Sequence, residues 1–336
     1  MKKSIYLIAV LTLLLANACS KDDTSQEIVP PFNTKRVALN VGLDGLGNYN
    51  LTTKALSASA NEITVASLQI FVFKTDGSLD AYGTGTTSSL SLSATTGSRD
   101  IYAIVNAPNL NTIRTKSALL AATSNLTDDL TNFVMTGSKL AQPISAATSI
   151  SIAVNRLVAR VSIDKITNRM TSPQYQSDAF VVTKVYVINV AGANNYGITS
   201  LGSTWFNQMK YVSGAANAIL YDAVTSGSIA YNASLSASHY FYVYPNNTAT
   251  DTQSIIWSPR FTRLVVEATL GGKTYYYPIS IPSIQPNKTY TVSELTITRP
   301  GSDSPDIPVS SATCTFSIAV TDWTAATGTG TGSISI

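Results

Sequence analysis

Apolar and polar side chains alternate with a period of two along much of this chain. Val37-Ala38-Leu39-Asn40-Val41-Gly42-Leu43 sets Val37, Leu39, Val41 and Leu43 on one face, which predicts a half-buried strand. Further strands are predicted within Ile63 to Lys74, Arg99 to Asn106, Val181 to Val190, His239 to Tyr244, Arg263 to Leu270, Thr274 to Ile281, Tyr290 to Ile297 and Cys314 to Val320. Asp76-Gly77 and Gly271-Gly272 suit tight hairpin turns, because these residues tolerate positive φ. The Ser, Thr and Gly punctuation between the Asp76-Gly77 turn and Arg99 predicts loops. Leu126, Leu130, Phe133 and Val134 recur at helical spacing, predicting one or two short helices between Asn109 and Val134. The run from Ile150 to Ile166 reads as the end of one domain and the first strand of the next. Short strands separated by turn signals, with little helix, indicate an all-β chain built of sandwiches.

Composition agrees with that pattern. A chain of 336 residues has room for about two domains, each burying its own core. Charged residues make up 12% against 44% hydrophobic, and Ser, Thr, Ala, Gly, Asn and Tyr are abundant, as in exported β-rich proteins. A formal net charge of +3 offers nothing to attract nucleic acid.

Candidate chemistry is sparse. The single histidine, His239, has no Cys or carboxylate at metal-ligand spacing and reads as a surface or capping residue. No glycine loop leads from a strand into a helix to cradle phosphate, and no Gly-x-Ser-x-Gly elbow is present. Asp128-Asp129 reads as a solvated pair in a turn. An enzyme is therefore not expected, nor a cofactor. Tyr240, Tyr242, Tyr244 and Tyr275-Tyr276-Tyr277 can be read as glycan-stacking platforms or as strand packing, and packing is the preferred reading. Cys314 opens an alternating run and is expected to face a core.

The other cysteine, Cys19, has a separate setting. Met1-Lys2-Lys3 gives a positive start, Ile5 to Ala16 an apolar stretch too short to span a bilayer, and Ala16-Asn17-Ala18 the residues before Cys19. This resembles a lipoprotein processing site, with 1–18 as signal peptide and Cys19 carrying acyl chains; Ala16 stands where such sites prefer Leu. Each buried methylene adds about 0.8 kcal/mol, so several acyl chains make a lasting anchor. Ser20-Lys21-Asp22-Asp23 resembles a short acidic tag for the outer leaflet.

Several segments together resemble the fimbrillin family, the subunits of type V pili. They are Leu68-Gln69-Ile70-Phe71-Val72-Phe73 before Asp76-Gly77, Ala103-Ile104-Val105-Asn106-Ala107, Val134-Met135-Thr136-Gly137, and Asn155-Arg156-Leu157-Val158-Ala159-Arg160-Val161. Tyr242-Val243-Tyr244-Pro245-Asn246, Pro286-Asn287-Lys288-Thr289-Tyr290, Arg299-Pro300-Gly301-Ser302-Asp303-Ser304-Pro305 and Val320-Thr321-Asp322-Trp323 follow in order.

The resemblance implies two tandem transthyretin-like β-sandwich domains, at 55–152 and 153–323, with the short helices in the N-terminal one. It implies a precursor held in the outer membrane by lipid, cut by a trypsin-like protease, and carried into a cell-surface fimbria that supports adhesion and colonisation. The lipidated propeptide would be 19–54, containing a plug strand at 37–43 that completes the N-terminal sandwich until it is removed. Burying Val37, Leu39, Val41 and Leu43 contributes about 6 to 12 kcal/mol at about 1.5 to 3 per side chain. Losing that strand opens an apolar groove with unpaired backbone, a template for strand addition. The cut is expected at Lys54-Ala55, in the polar loop after the plug; family members usually carry arginine there, so a Lys-accepting protease is required. In the tail 324–336, Thr327 onward alternates small with polar residues and ends in Ile334 and Ile336; it is expected to form the donor strand that enters another subunit, with a disordered Gly/Thr tail as the alternative reading. Partners are then other copies of the chain and related pilins, with a host glycan or protein left open. A minor tip, adhesin or anchor subunit of the same pilus, and a glycan-binding surface lipoprotein, stand as alternatives.

Overall fold

The computed structural model describes residues 35–44, 62, 64–128, 132–197, 202–214, 216–252, 257–323 and 332–335. From the N-terminal side its strands are β1 Arg36–Asp44, β2 Leu68–Phe73, β3 Leu79–Gly85, β4 Ser89–Thr95, β5 Gly97–Val105, β6 Thr123–Asn125, β7 Met135–Ile144, β8 Thr148–Ala153 and β9 Asn155–Arg156, with helix α1 Lys116–Ala121 after β5. Eight of these strands form two sheets, one in the order β3-β2-β5-β7-β9 and one in the order β4-β1-β8, while β6 pairs with Ala193–Asn195. Leu39 and Val41 of β1, Leu68, Ile70 and Val72 of β2, Ile101 and Ala103 of β5 and Ile152 of β8 share the core that the two sheets enclose.

The apolar run of β2, interrupted only by Gln69, follows from burial on both faces. Phe71 and Phe73 belong to a second, larger core with Leu119 of α1, Leu157 and Val161, which continues into the rest of the chain. Gln69 survives there because its polar atoms are used: Nε2 donates to the carbonyls of Ala107 and Pro108, and Oε1 accepts from Tyr82 and the Leu110 amide.

Beyond β9 the strand Ala159–Ile163 pairs antiparallel with His239–Val243 and parallel with Lys288–Val292, which in turn pairs with Ser317–Asp322. Phe180–Ile188, Thr262–Leu270 and Lys273–Ile281 form another sheet with Tyr221–Ala223. Its hairpin turns at Gly271 and Gly272, with φ of +57° and +83°, a conformation glycine enters without steric cost.

Several expectations change in detail. The stretch expected to be loops holds β3 and β4. The helix lies earlier than its apolar spacing suggested: α1 starts at the cap Thr115, whose hydroxyl accepts from the Ala118 amide at 3.2 Å. Leu126, Phe133 and Val134 are buried in turn and coil instead, and Leu130 is outside the described residues.

Candidate assembly site

The strand β1 lies between two others and is bonded on both edges. It runs antiparallel to β4, from Arg36 opposite Thr95 to Gly42 opposite Ser89, and parallel to β8, from Leu39 opposite Thr148 to Asp44 opposite Ala153. Alternation then decides burial: Leu39 and Val41 are 0% and 1% exposed, whereas Val37 and Leu43 are only partly covered. The fully buried pair therefore carries about 3 to 6 kcal/mol at about 1.5 to 3 per side chain, with a smaller share from the flanking two. On the outer face Asn40 accepts from the Ser91 hydroxyl at 2.6 Å and donates to Ser149 at 3.4 Å.

The start of β1 meets a charged cluster. Arg36 Nη2 donates to the Ser93 carbonyl at 2.6 Å and the Asp80 carbonyl at 3.3 Å. The Asp80 carboxylate accepts from the Thr95 amide and hydroxyl, both at 2.8 Å, and from Arg99 Nε at 3.0 Å. Burial pushes the Asp80 carboxyl up, but the Thr95 and Arg99 hydrogen bonds outweigh it, and the group sits below the usual carboxylate range.

The other end of β1 meets a junction. The Val154 amide donates to the Asp44 carbonyl at 3.2 Å. Two residues on, Arg156 donates from Nε to the Glu62 carbonyl at 2.6 Å and from Nη1 to the Trp323 carbonyl at 3.2 Å. The Glu62 carboxylate is buried and accepts from Arg160 at 3.1 Å, Tyr242 at 2.7 Å and the Trp323 indole N–H at 3.3 Å. Burial, reinforced by the Glu62 charge, pushes the Tyr242 hydroxyl far above its ordinary value, so it stays a donor. The Trp323 ring stacks on Tyr242 at 5.8 Å, and Arg156 lies over it at 4.7 Å.

After Trp323 the next described segment is Gly332–Ser335, which pairs antiparallel with Ser317–Asp322 and places Ile334 opposite Ile318. In this structure the tail strand thus lies along the edge of its own sheet. Cys19, Lys54, Ala55 and Ile336 lie outside the described residues.

Packing accounts for most of the remaining candidates, while Tyr240 is exposed and Tyr275 and Tyr276 are half-buried. Tyr242, Tyr244 and Tyr277 are buried, and the Tyr244 hydroxyl bonds Ser124 at 2.8 Å. His239 is buried rather than at the surface, because its ring pairs through Nδ1 with Asp222 at 2.6 Å. Cys314 faces the core, and burial pushes its thiol up to about 12. Among the described residues no three His, Cys, Asp or Glu side chains gather as a metal site, and no helix is long and apolar enough to cross a membrane. Sequence reasoning missed Glu62 as a site residue; Arg156, Arg160 and Trp323 were visible only as members of short segments.

The family model described as major fimbrial subunit protein (FimA) matches residues 36–172, beginning at the first residue of β1. The fold is similar to the crystal structure of a fimbrilin from Porphyromonas gingivalis, with a TM-score of 0.62 and 17% identity over 87% of this chain and 99% of that one. A protein assigned to cell adhesion from Bacteroides eggerthii gives a TM-score of 0.66 and 19% identity over 86% and 96%. A C-terminally truncated tip fimbrial protein from Porphyromonas gingivalis gives 0.53 and 14% over 86% and 100%. No curated protein matches the sequence.

Proposed function

We propose that the chain is a fimbrillin-family subunit with a structural role in a cell-surface fimbria, a reading supported by the family match over residues 36–172 and by the β-sandwich fold, and that it is a stalk pilin that polymerises by exchanging β1 for the tail of a neighbour. The observation that carries the reading is the burial of β1, whose two covered side chains, Leu39 and Val41, are matched in number and spacing by Ile334 and Ile336. A tail running in the direction of β1 stays antiparallel to β4 and parallel to β8. With Ile334 in the place of Leu39, Ile336 takes that of Val41 and Gly332 that of the half-covered Val37. Two isoleucines then recover about 3 to 6 kcal/mol, comparable with the two residues they replace.

The precursor is exported with acyl chains on Cys19 and anchored in the outer membrane. A trypsin-like protease that accepts lysine cuts at Lys54-Ala55, and the N-terminal domain that remains lacks its plug. Boundaries at 55–152 and 153–323 describe the two sandwiches in this scheme.

Deleting Ser333 to Ile336 from the full chain tests the reading. The processed protein is expected to stay folded and to form no fibre in electron micrographs; fibres of parental length sink the assignment. For the anchor, Cys19→Ser is expected to abolish acyl-chain labelling in cells, and unchanged labelling rules that site out.

A further inference from the structure

Three parts of the chain converge on Ala153 to Arg156. Asp44, the end of β1, pairs with Ala153 and accepts from the Val154 amide. Glu62 and Trp323 both give their carbonyls to Arg156, and their side chains bond each other. In sequence, Glu62 is the eighth residue after Lys54, and Trp323 immediately precedes the tail. The junction therefore joins the segment that follows the processing loop to the root of the tail, residues 261 positions apart.

The root is held more firmly than hairpin geometry requires. Trp323 is 4% exposed, its amide donates to the Asn287 carbonyl at 3.0 Å, its carbonyl accepts from Arg156, and its ring is enclosed by Tyr242, Arg156 and Arg160. Asn287 adopts a φ of +55° there, and its side chain bonds Arg156 and Asn155. Beyond Trp323 the tail strand makes its described backbone pairs only with the edge strand Ser317–Asp322. Leaving that edge breaks none of the junction's contacts among the described residues.

We propose, resting on the strand-exchange reading above, that Trp323 is a positioning residue, a fixed root about which the tail passes from its own sheet edge to a neighbour's groove, with Arg156 and Glu62 as its mounts. A fixed root limits where the tail begins and so lowers the ordering cost of docking it. The junction also keeps the processed end, through Glu62, against the same root, so removal of β1 leaves the donor end in place.

The test uses the full precursor, limited digestion with a Lys-specific protease, and a synthetic fluorescent peptide of residues 324–336 as probe. Processed Trp323→Ala is expected to capture the peptide as the parent does, because a tail with Ile336 in the place of Val41 ends opposite Ile150 of β8, short of Ala153 where the junction begins. Its own fibre growth is expected to fall about tenfold, from the added ordering of a loose tail. Trp323→Phe keeps the ring stacking and is expected to restore most of the rate. Should Trp323→Ala fail to fold, Glu62→Gln carries the same expectation at about threefold, again with peptide capture unchanged. Growth at the parental rate in Trp323→Ala, or in Glu62→Gln where it stands in, overturns the inference, as does an equal loss of peptide capture and growth, which marks a merely structural role. A parent that neither captures the peptide nor grows fibres overturns the strand-exchange reading itself, and this inference with it.

Discussion

Leu39 of β1 stands directly opposite Leu92 of β4; Leu39 is buried in the core between the two N-terminal sheets, and the half-buried Leu92 packs against that core. One face of a single strand thus completes a hydrophobic layer, while its backbone closes the gap between β4 and β8. Such a strand is strongly fixed when present and leaves two edges bare when absent.

Unequal burial along β1 has a direct consequence for stability. Leu39→Ala in the precursor is expected to cost about 2 to 5 kcal/mol, the range for emptying a closed core site, while Leu43→Ala costs clearly less because its side chain is partly in water already. Urea unfolding of the two variants separates them. Equal shifts of the midpoint contradict the burial that distinguishes the sites.

Acid should act through Asp80. Its carboxyl is below the ordinary value of 3.8 in the folded chain, so its contribution is complete above that value and is lost as pH falls through the lower folded value. Asp80→Asn is expected to be less stable than the parent at neutral pH, with the difference shrinking below about pH 4. Melting curves from neutral to strongly acidic pH check this, and a difference that stays constant throughout argues against it.

The proposed cut at Lys54 has its own outcome. Lys54→Ala is expected to leave the precursor uncut at this position and monomeric after limited Lys-specific digestion, while the parent forms fibres. N-terminal sequencing of the digested parent should begin at Ala55. Fibres from the Lys54→Ala chain in parental amount place the productive cut elsewhere.

What the sequence revealed and what it hid have physical reasons. The strict alternation of β1 was legible because one face is buried and the other wet, and the hairpin at Gly271-Gly272 because positive φ is demanded there. The strand β4 was hidden: Ser-Leu-Ser-Leu-Ser-Ala-Thr is built from residues common in loops, and only Leu90, Leu92 and Ala94 on alternate positions mark it. That omission mattered, since β4 is one wall of the groove. The junction was less visible still, because Glu62, Arg156, Arg160, Tyr242 and Trp323 are scattered along the chain and only the tertiary fold brings them together. Burying Tyr242 beside a carboxylate also explains why a tyrosine in an apparent aromatic platform is core.

Strand exchange itself is tested most directly by a covalent trap in assembled fibres. If Ile334 takes the place of Leu39, Ser335 takes that of Asn40, which stands opposite Ser91 of β4. Residues opposite in an antiparallel pair have Cα atoms about 4.5 to 5.5 Å apart, within the span of a disulfide. In the monomer Ser335 lies opposite Ser317 instead, so a single subunit does not bring the two positions together. Fibres grown from the Ser91→Cys, Ser335→Cys chain and oxidised gently are expected to run as a ladder of covalent multimers on a non-reducing gel, collapsing to monomer with reductant. Fibres of normal length that run wholly as monomer without reductant contradict the entry of the tail into the β1 groove.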